Sequence, residues 1–217
     1  MSFDAIAPWY RTLEAITFGR SLQRARLACL GKIGSPRRAL VVGEGNGRFL
    51  LELVRANPAL KVECIDASEL MLRLARSRIQ AGIATAEARV VFLQRDLASW
   101  TPPPRRYDLI VTHFFLDCFP RAAVEAIVAK LAASATDDAQ WLVADFNIPD
   151  EGVGRLQARM WLPILYAFFR IATGIEGRDL IDPSPFLCAQ NFQLRSELTF
   201  RQGMLKSQLW RRQCRDD

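Results

Sequence analysis

The sequence predicts an α/β protein: a mostly parallel sheet with helices on both faces, closed by an antiparallel hairpin. Three observations carry this. Short apolar runs alternate with longer amphipathic segments from Ala39 to Ala144. A glycine turn, VVGEGNGRF over residues 41–49, stands where the first apolar run passes into the first amphipathic segment. From Phe192 onward the period changes to two, with Phe192, Leu194, Leu198 and Phe200 facing Leu205, Ser207 and Leu209 across Arg201-Gln202-Gly203.

The elements follow in order. An amphipathic N-terminal region over residues 5–30 breaks at Gly31, Gly34 and Pro36. Ala39 to Val42 reads as a buried strand, and Arg48 to Ala56 as a helix stopped at Asn57-Pro58. Lys61 to Ile65 is a second strand. Ser68 N-caps a helix running to about Gln80, with Glu69 in its first turn and Gly82 past its end. Val90 to Leu93 and Leu109 to Thr112 are strands separated by the proline loop TPPPRR. Pro120 suits the first turn of a helix through Ala133, and Trp141 to Ala144 is a fifth strand.

A chain of 217 residues, 50% hydrophobic and 24% charged, supports one sizeable core. We read a single domain over 1–217: a helical cap at 1–35, a cofactor-binding core at 36–150, a helical lid at 151–185 and the hairpin at 186–217. The net charge of +6 raises nucleic-acid or membrane partners, but the arginines are dispersed and no run of five basic residues occurs. The five cysteines are odd in number and include no C-x-x-C pair. This argues against a disulfide framework or a metal site and points to a reducing, cytoplasmic setting. The opening MSFDAIAPWYR has no signal-peptide pattern, and WLPILYAFF at 161–169 is too short to span a bilayer. A homodimer is compatible with all of this.

Gly43, Gly45 and Gly47 admit positive φ and let a ligand approach the backbone, and the next helix begins with unpaired N–H groups. A dinucleotide fingerprint needs a glycine at its sixth position, where this chain has Arg48, and Glu44 inside the turn would repel a pyrophosphate. Glu44 suits a cation. S-adenosylmethionine is phosphate-free and carries a sulfonium and an ammonium. Asp66, ending the second strand in ECIDAS, is placed for two ribose hydroxyls, or else for a helix cap. Asp96, in LQRDLASW, and the Leu97 N–H are placed for an adenine edge, or else the aspartate caps its own loop. Met71 and Leu97 are apolar neighbours for that ring or plain core. Asn46 and Ala67 complete the two turns.

Together VVGEGNGRF, ECIDAS, FLQRDLA, YDLIVTHFFLDCF and the closing hairpin resemble the class I S-adenosylmethionine-dependent methyltransferases. The resemblance covers residues 38–212. It implies a Rossmann-like seven-stranded sheet with the last strand antiparallel, and S-adenosylmethionine as cofactor. The N-terminal FDAIAPWY and FGRSLQRAR are similar to ubiquinone and menaquinone biosynthesis methyltransferases, which implies that Tyr10 closes over the methionine end of the cofactor. Arg11 and His113-Phe114 depart from that group's pattern.

Methyl transfer needs alignment and exclusion of water, and a base only where the acceptor loses a proton. The single histidine, His113, follows the fourth strand and is the candidate catalytic residue; it reads alternatively as a cofactor-lining or core group. Asp117 is a weaker candidate. Cys118 lacks the Pro-Cys setting of cytosine-methylating enzymes. Residues 151–180, rich in Trp, Tyr and Phe, predict an apolar lid and a small apolar or aromatic acceptor, or a core helix kinked at Pro163. The alternatives are a nucleic-acid methyltransferase, disfavoured by THFF where Asn/Asp-Pro-Pro-Tyr would stand, and a cofactor-binding protein without catalysis. A nicotinamide oxidoreductase is disfavoured at Glu44 and Arg48.

Overall fold

A computed structural model describes residues 20–149 and 180–213. Within them lie helix α1 (Ser21–Leu27), β1 (Arg38–Val42), α2 (Arg48–Ala56), β2 (Lys61–Asp66), α3 (Glu69–Gly82), β3 (Val90–Gln94) and β4 (Tyr107–His113). Then come α4 (Arg121–Ser134), β5 (Ala135–Phe146), α5 (Ser184–Ala189), β6 (Phe192–Phe200) and β7 (Leu205–Arg212).

The seven strands form one sheet in the order β3-β2-β1-β4-β5-β7-β6. β1 to β5 pair in parallel, β7 is antiparallel to β5, and β6 pairs antiparallel with β7. The seven-stranded sheet and its closing hairpin are those the sequence implied.

The apolar runs are continuous rather than alternating because helices cover both faces. Successive strand residues serve opposite layers. Leu40, Val42, Ile110 and Val143 pack against Val124, Ile127 and Leu131 of α4 and Leu187 of α5. Their neighbours Ala39, Val41, Val111 and Leu142 pack against Phe49, Leu50 and Leu53 of α2 and Ile79 of α3. Full burial of each large aliphatic side chain contributes about 1.5–3 kcal/mol. A third cluster joins Leu22 and Ala25 of α1 to Phe146, Met204 and Leu205, which docks the N-terminal helix at the β5–β7 end.

Local signals account for the boundaries. Ser68 caps α3, its Oγ accepting from the Met71 N–H at 3.2 Å. The Asn57 side chain donates to the Leu53 carbonyl at 3.0 Å and closes α2 ahead of Pro58. Gly82 is the last residue of α3 rather than the residue beyond it, and a Cβ there would meet Leu51 at 2.6 Å. β5 begins six residues earlier than its apolar run, at Ala135, with a register irregularity before Leu109↔Gln140.

The hairpin departs from the expected single covered face. β7 is buried on both faces, including Ser207 and Gln208: Trp210 joins the first core cluster and Leu209 the second. β6 is the edge strand, and Leu194 and Leu198 are exposed at 44% and 36%. A one-residue irregularity between Leu194 and Ser196 breaks the alternation that the sequence suggested. Tyr10 and the lid expected over 151–180, Leu180 excepted, lie outside the described residues.

Candidate cofactor and acceptor site

The carboxyl ends of β1 to β5 share one edge of the sheet, where ligands of open parallel sheets bind. Three glycines leave β1 with φ values of 65° at Gly43, 68° at Gly45 and 79° at Gly47. Each has its own reason. A Cβ on Gly43 would meet the Phe115 ring at 2.5 Å, and one on Gly47 would meet the Ala75 backbone of α3 at 2.7 Å. A Cβ on Gly45 would meet nothing within 4 Å among the described residues, which leave the turn open above it. The close packing sought from a glycine at position 48 is thus supplied by Gly47.

Glu44 folds back over its own helix. Its Oε1 accepts from the N–H groups of Phe49 and Leu50, both at 2.9 Å. Two of the N–H groups expected to be open to an anion are therefore taken, because an acid at this offset reaches the first turn of α2. Burial pushes the Glu44 carboxyl up to about 7; the Leu50 N–H, Arg26 and the Phe49 N–H oppose this, and Asp66 adds to it.

Asp66 ends β2 beside the glycine turn. Its Oδ1 accepts from the Ser68 N–H at 2.9 Å, and its Oδ2 accepts from the Gly45 N–H at a longer 3.4 Å. The carboxylate therefore ties the two turns together and faces the open position at Gly45. Carboxylate oxygens have lone pairs beyond these bonds for sugar hydroxyls. Ala67 is exposed, and its carbonyl accepts from the Gln94 amide at 3.2 Å. Met71 is half-buried at the start of α3. The Asn46 carbonyl accepts from Arg78 Nε at 2.8 Å, which holds the turn from the α3 side.

Past β3, Asp96 is exposed and its Oδ1 accepts from the Ala98 N–H at 2.9 Å, so it does cap its own turn. Leu97 is buried in the core cluster beneath α4. Its carbonyl accepts from Lys130 at 2.6 Å. The structure brings Gly43 to Gly47 and Asp66 to one corner of the edge, with Asp96 at the end of the neighbouring strand.

His113 closes β4 and is 5% exposed. Its ring lies edge-on to Phe49 with centroids 4.4 Å apart, and Nδ1 has no hydrogen-bond partner among the described residues. Burial, then the charge of Arg26, lowers its pKa well below the ordinary value. The imidazole is therefore neutral.

Two residues given no role in the sequence stand out. Arg26 of α1 stacks over Phe114 at 5.0 Å and acts electrostatically on both Glu44 and His113. Asp145, next to last in β5, is 6% exposed, and neither of its oxygens makes a hydrogen bond of normal geometry among the described residues. Asp117, also 6% exposed, follows β4, and Cys118 Sγ lies 3.7 Å from its Oδ1. Burial pushes Asp117 up to about 6, opposed by the Cys118 thiol and its own backbone N–H. Burial first, and then the charge of Asp117, pushes Asp145 up as well, with Asp182 adding and the Phe115 and Phe114 N–H groups opposing. The apolar run before Asp145 in WLVADFN resembles that before Asp66, and is the signal that could have found it.

Comparison with known proteins gives a concordant result. Residues 39–138 match the family model described as methyltransferase domain. A release factor glutamine methyltransferase of Koribacter versatilis (strain Ellin345) is 38% identical over 74 residues, which are 34% of this chain and 25% of that protein. The chain thus matches only a quarter of the length of that curated relative. The solved structure of the mitomycin 7-O-methyltransferase MmcR superposes with a TM-score of 0.71 at 18% identity, covering 98% of this chain and 61% of that one. The N-methyltransferase NodS from Bradyrhizobium japonicum WM9 superposes with a TM-score of 0.60 at 12% identity, covering 88% of this chain and 92% of that one.

Proposed function

We propose that this chain, whose residues 39–138 are a methyltransferase domain and whose sheet is that of the class I S-adenosylmethionine-dependent methyltransferases, transfers a methyl group to a small acceptor molecule. The observation that carries the reading is the corner formed by Gly45 and Asp66. An open glycine backbone lies beside a strand-end carboxylate, with the Glu44 carboxyl in the same turn, an arrangement that disfavours a diphosphate.

The donor set suits S-adenosylmethionine. Asp66 would hold the ribose hydroxyls, Asp96 and the Leu97 backbone the adenine edge, and Met71 a ring face. Glu44, Gly43, Gly45, Asn46, Gly47 and Ala67 would line the cationic portion and the sugar. Tyr10 enters on resemblance alone. When bound, the cofactor supplies a methyl group on a positively charged sulfur, whose departure as a neutral thioether drives the transfer. The chain's own part is to orient the acceptor and keep water away, worth roughly 7–11 kcal/mol in ideal cases.

His113, at the end of β4, packs edge-on against Phe49 of α2, and its neutral ring is suited to lining the site or to accepting a proton there. An acceptor of small size is favoured because no helix, sheet or charge run among the described residues forms an evident nucleic-acid platform. The 74-residue likeness to a glutamine methyltransferase bears on the cofactor half of the fold and leaves the acceptor open. Isothermal calorimetry with S-adenosylmethionine, beside NAD as control, tests the reading. Micromolar binding of the first alone is the expected result; preference for the dinucleotide overturns it.

A further inference from the structure

We propose that Asp117 and Asp145 form an acid pair that holds a hydroxyl-bearing acceptor and takes up its proton, with Asp117 as the proton acceptor and Asp145 as the positioning partner. The proposal rests on the methyltransferase reading and names the acceptor chemistry of the same site.

The pair stands where the acceptor must approach. Asp117 lies in the turn after β4 and Asp145 at the end of β5, and these strands are neighbours. The same turn carries Phe115, whose ring occupies the space left by the missing side chain of Gly43. Asp117 thus lies in the turn that abuts the glycine loop. Both are buried, and no side chain among the described residues hydrogen-bonds either Asp145 oxygen; the Phe114 and Phe115 N–H groups stand near it, but the Phe114 N–H is spent on the Ala144 carbonyl. A buried carboxyl group without a partner is rare and calls for an occupant.

The groups facing the pair limit that occupant. They are the Cys118 thiol, Asp182 ahead of α5, the backbone of Phe114 and Phe115, and Lys206, which stands opposite Asp145 in β7. No salt bridge reaches either acid among the described residues. What is lacking is a hydrogen donor, and a hydroxyl supplies one. Two adjacent buried carboxyls hold a single proton between them, which leaves one carboxylate to act as base. As the acceptor oxygen gains the methyl group, the O–H electron pair stays on oxygen. The proton passes to Asp117 and then to water, one for each methyl transferred.

The test uses the full chain with methyl-labelled S-adenosylmethionine, catechol as hydroxyl probe and benzylamine as nitrogen probe. Label is expected on catechol. Asp117→Asn should lower kcat/KM by roughly 100-fold or more, a typical loss on removing a general base, and abolish the acid limb that rises through about pH 6. Cofactor affinity by calorimetry should not change. Infrared spectroscopy should show a protonated-carboxyl band at neutral pH that Asp145→Asn removes. Equal turnover of catechol by Asp117→Asn, label on benzylamine alone, neither probe labelled by a cofactor-binding protein, or persistence of the band would each overturn the proposal. Failure of the unaltered chain to bind the cofactor would instead sink the methyltransferase reading, and the pair's role with it.

Discussion

The Phe115 ring fills the space that a side chain on Gly43 would occupy, its Cδ2 lying 2.5 Å from the position of a Cβ. The glycine turn and the loop after β4 are therefore mutually fitted. Gly43→Ala should force the ring aside as well as strain the backbone. Gly45→Ala has a similar positive φ but open space, so it should cost only the backbone share of about 1–2 kcal/mol. Urea unfolding of the two variants separates the terms. If Gly43→Ala is no less stable than Gly45→Ala, the fitted contact contributes nothing.

Glu44 binds its proton more tightly in the folded chain than in the unfolded one, since burial raises it from 4.5 to about 7. Its contribution to stability is present below the unfolded value and is lost as pH rises toward 7. Glu44→Gln keeps an oxygen for the Phe49 and Leu50 N–H groups without the titration. The variant should match the parent near pH 5 and exceed it above pH 7, by on the order of 1 kcal/mol per pH unit crossed at most. Taking the difference between the two proteins cancels the opposite contribution of His113. A constant difference across that range would contradict the burial of Glu44.

Ligand binding should show the converse. A cation beside Glu44 favours the ionised carboxyl, so affinity for S-adenosylmethionine should rise up to tenfold per unit below pH 7 and then level off. Calorimetry in buffers of different ionisation heat would register the released proton. Binding that is flat from pH 5.5 to 8 would place the cation away from Glu44.

Asp66→Ala removes the acceptor of the Gly45 and Ser68 N–H groups. A stability loss of about 1 kcal/mol is expected, with the circular dichroism of the fold retained. Cofactor binding should become undetectable by calorimetry. Retained affinity would count heavily against the corner formed by Gly45 and Asp66.

His113 is the single histidine, so its ring proton signals are unambiguous in a magnetic resonance titration. Burial and Arg26 lower its pKa, and its chemical shift should stay constant from pH 8 down past 6.5. Ordinary titration near 6.5 would mean that the ring is hydrated rather than packed against Phe49.

Much of the candidate cofactor corner's local geometry was legible in the chain. Glycines at alternate positions, an acid inside their turn and an aspartate ending the next apolar run are local signals, each set by backbone φ or by strand length. Ser68 was readable as a cap for the same reason. Asp96 illustrates the limit: the sequence allowed both a loop cap and a ligand contact, and its bond to the Ala98 N–H realises the first without using its second oxygen. Arg26 and Asp145 were not legible. Arg26 is one of many dispersed arginines, and its influence on Glu44 and His113 exists only once α1 docks on β5 and β7.

The sequence by itself determined the alternation of strands and helices, the position of the glycine turn and the change of period at the hairpin, because each depends on neighbours within a few residues. Tertiary structure decided what depends on strand order. It placed β7 inside the sheet, where Trp210 joins one core layer and Leu209 the other. It also set Asp117 against Asp145 across adjacent strand ends. Residues 28 apart in the chain raise one another's proton affinity only because the sheet brings β4 and β5 side by side and buries both acids.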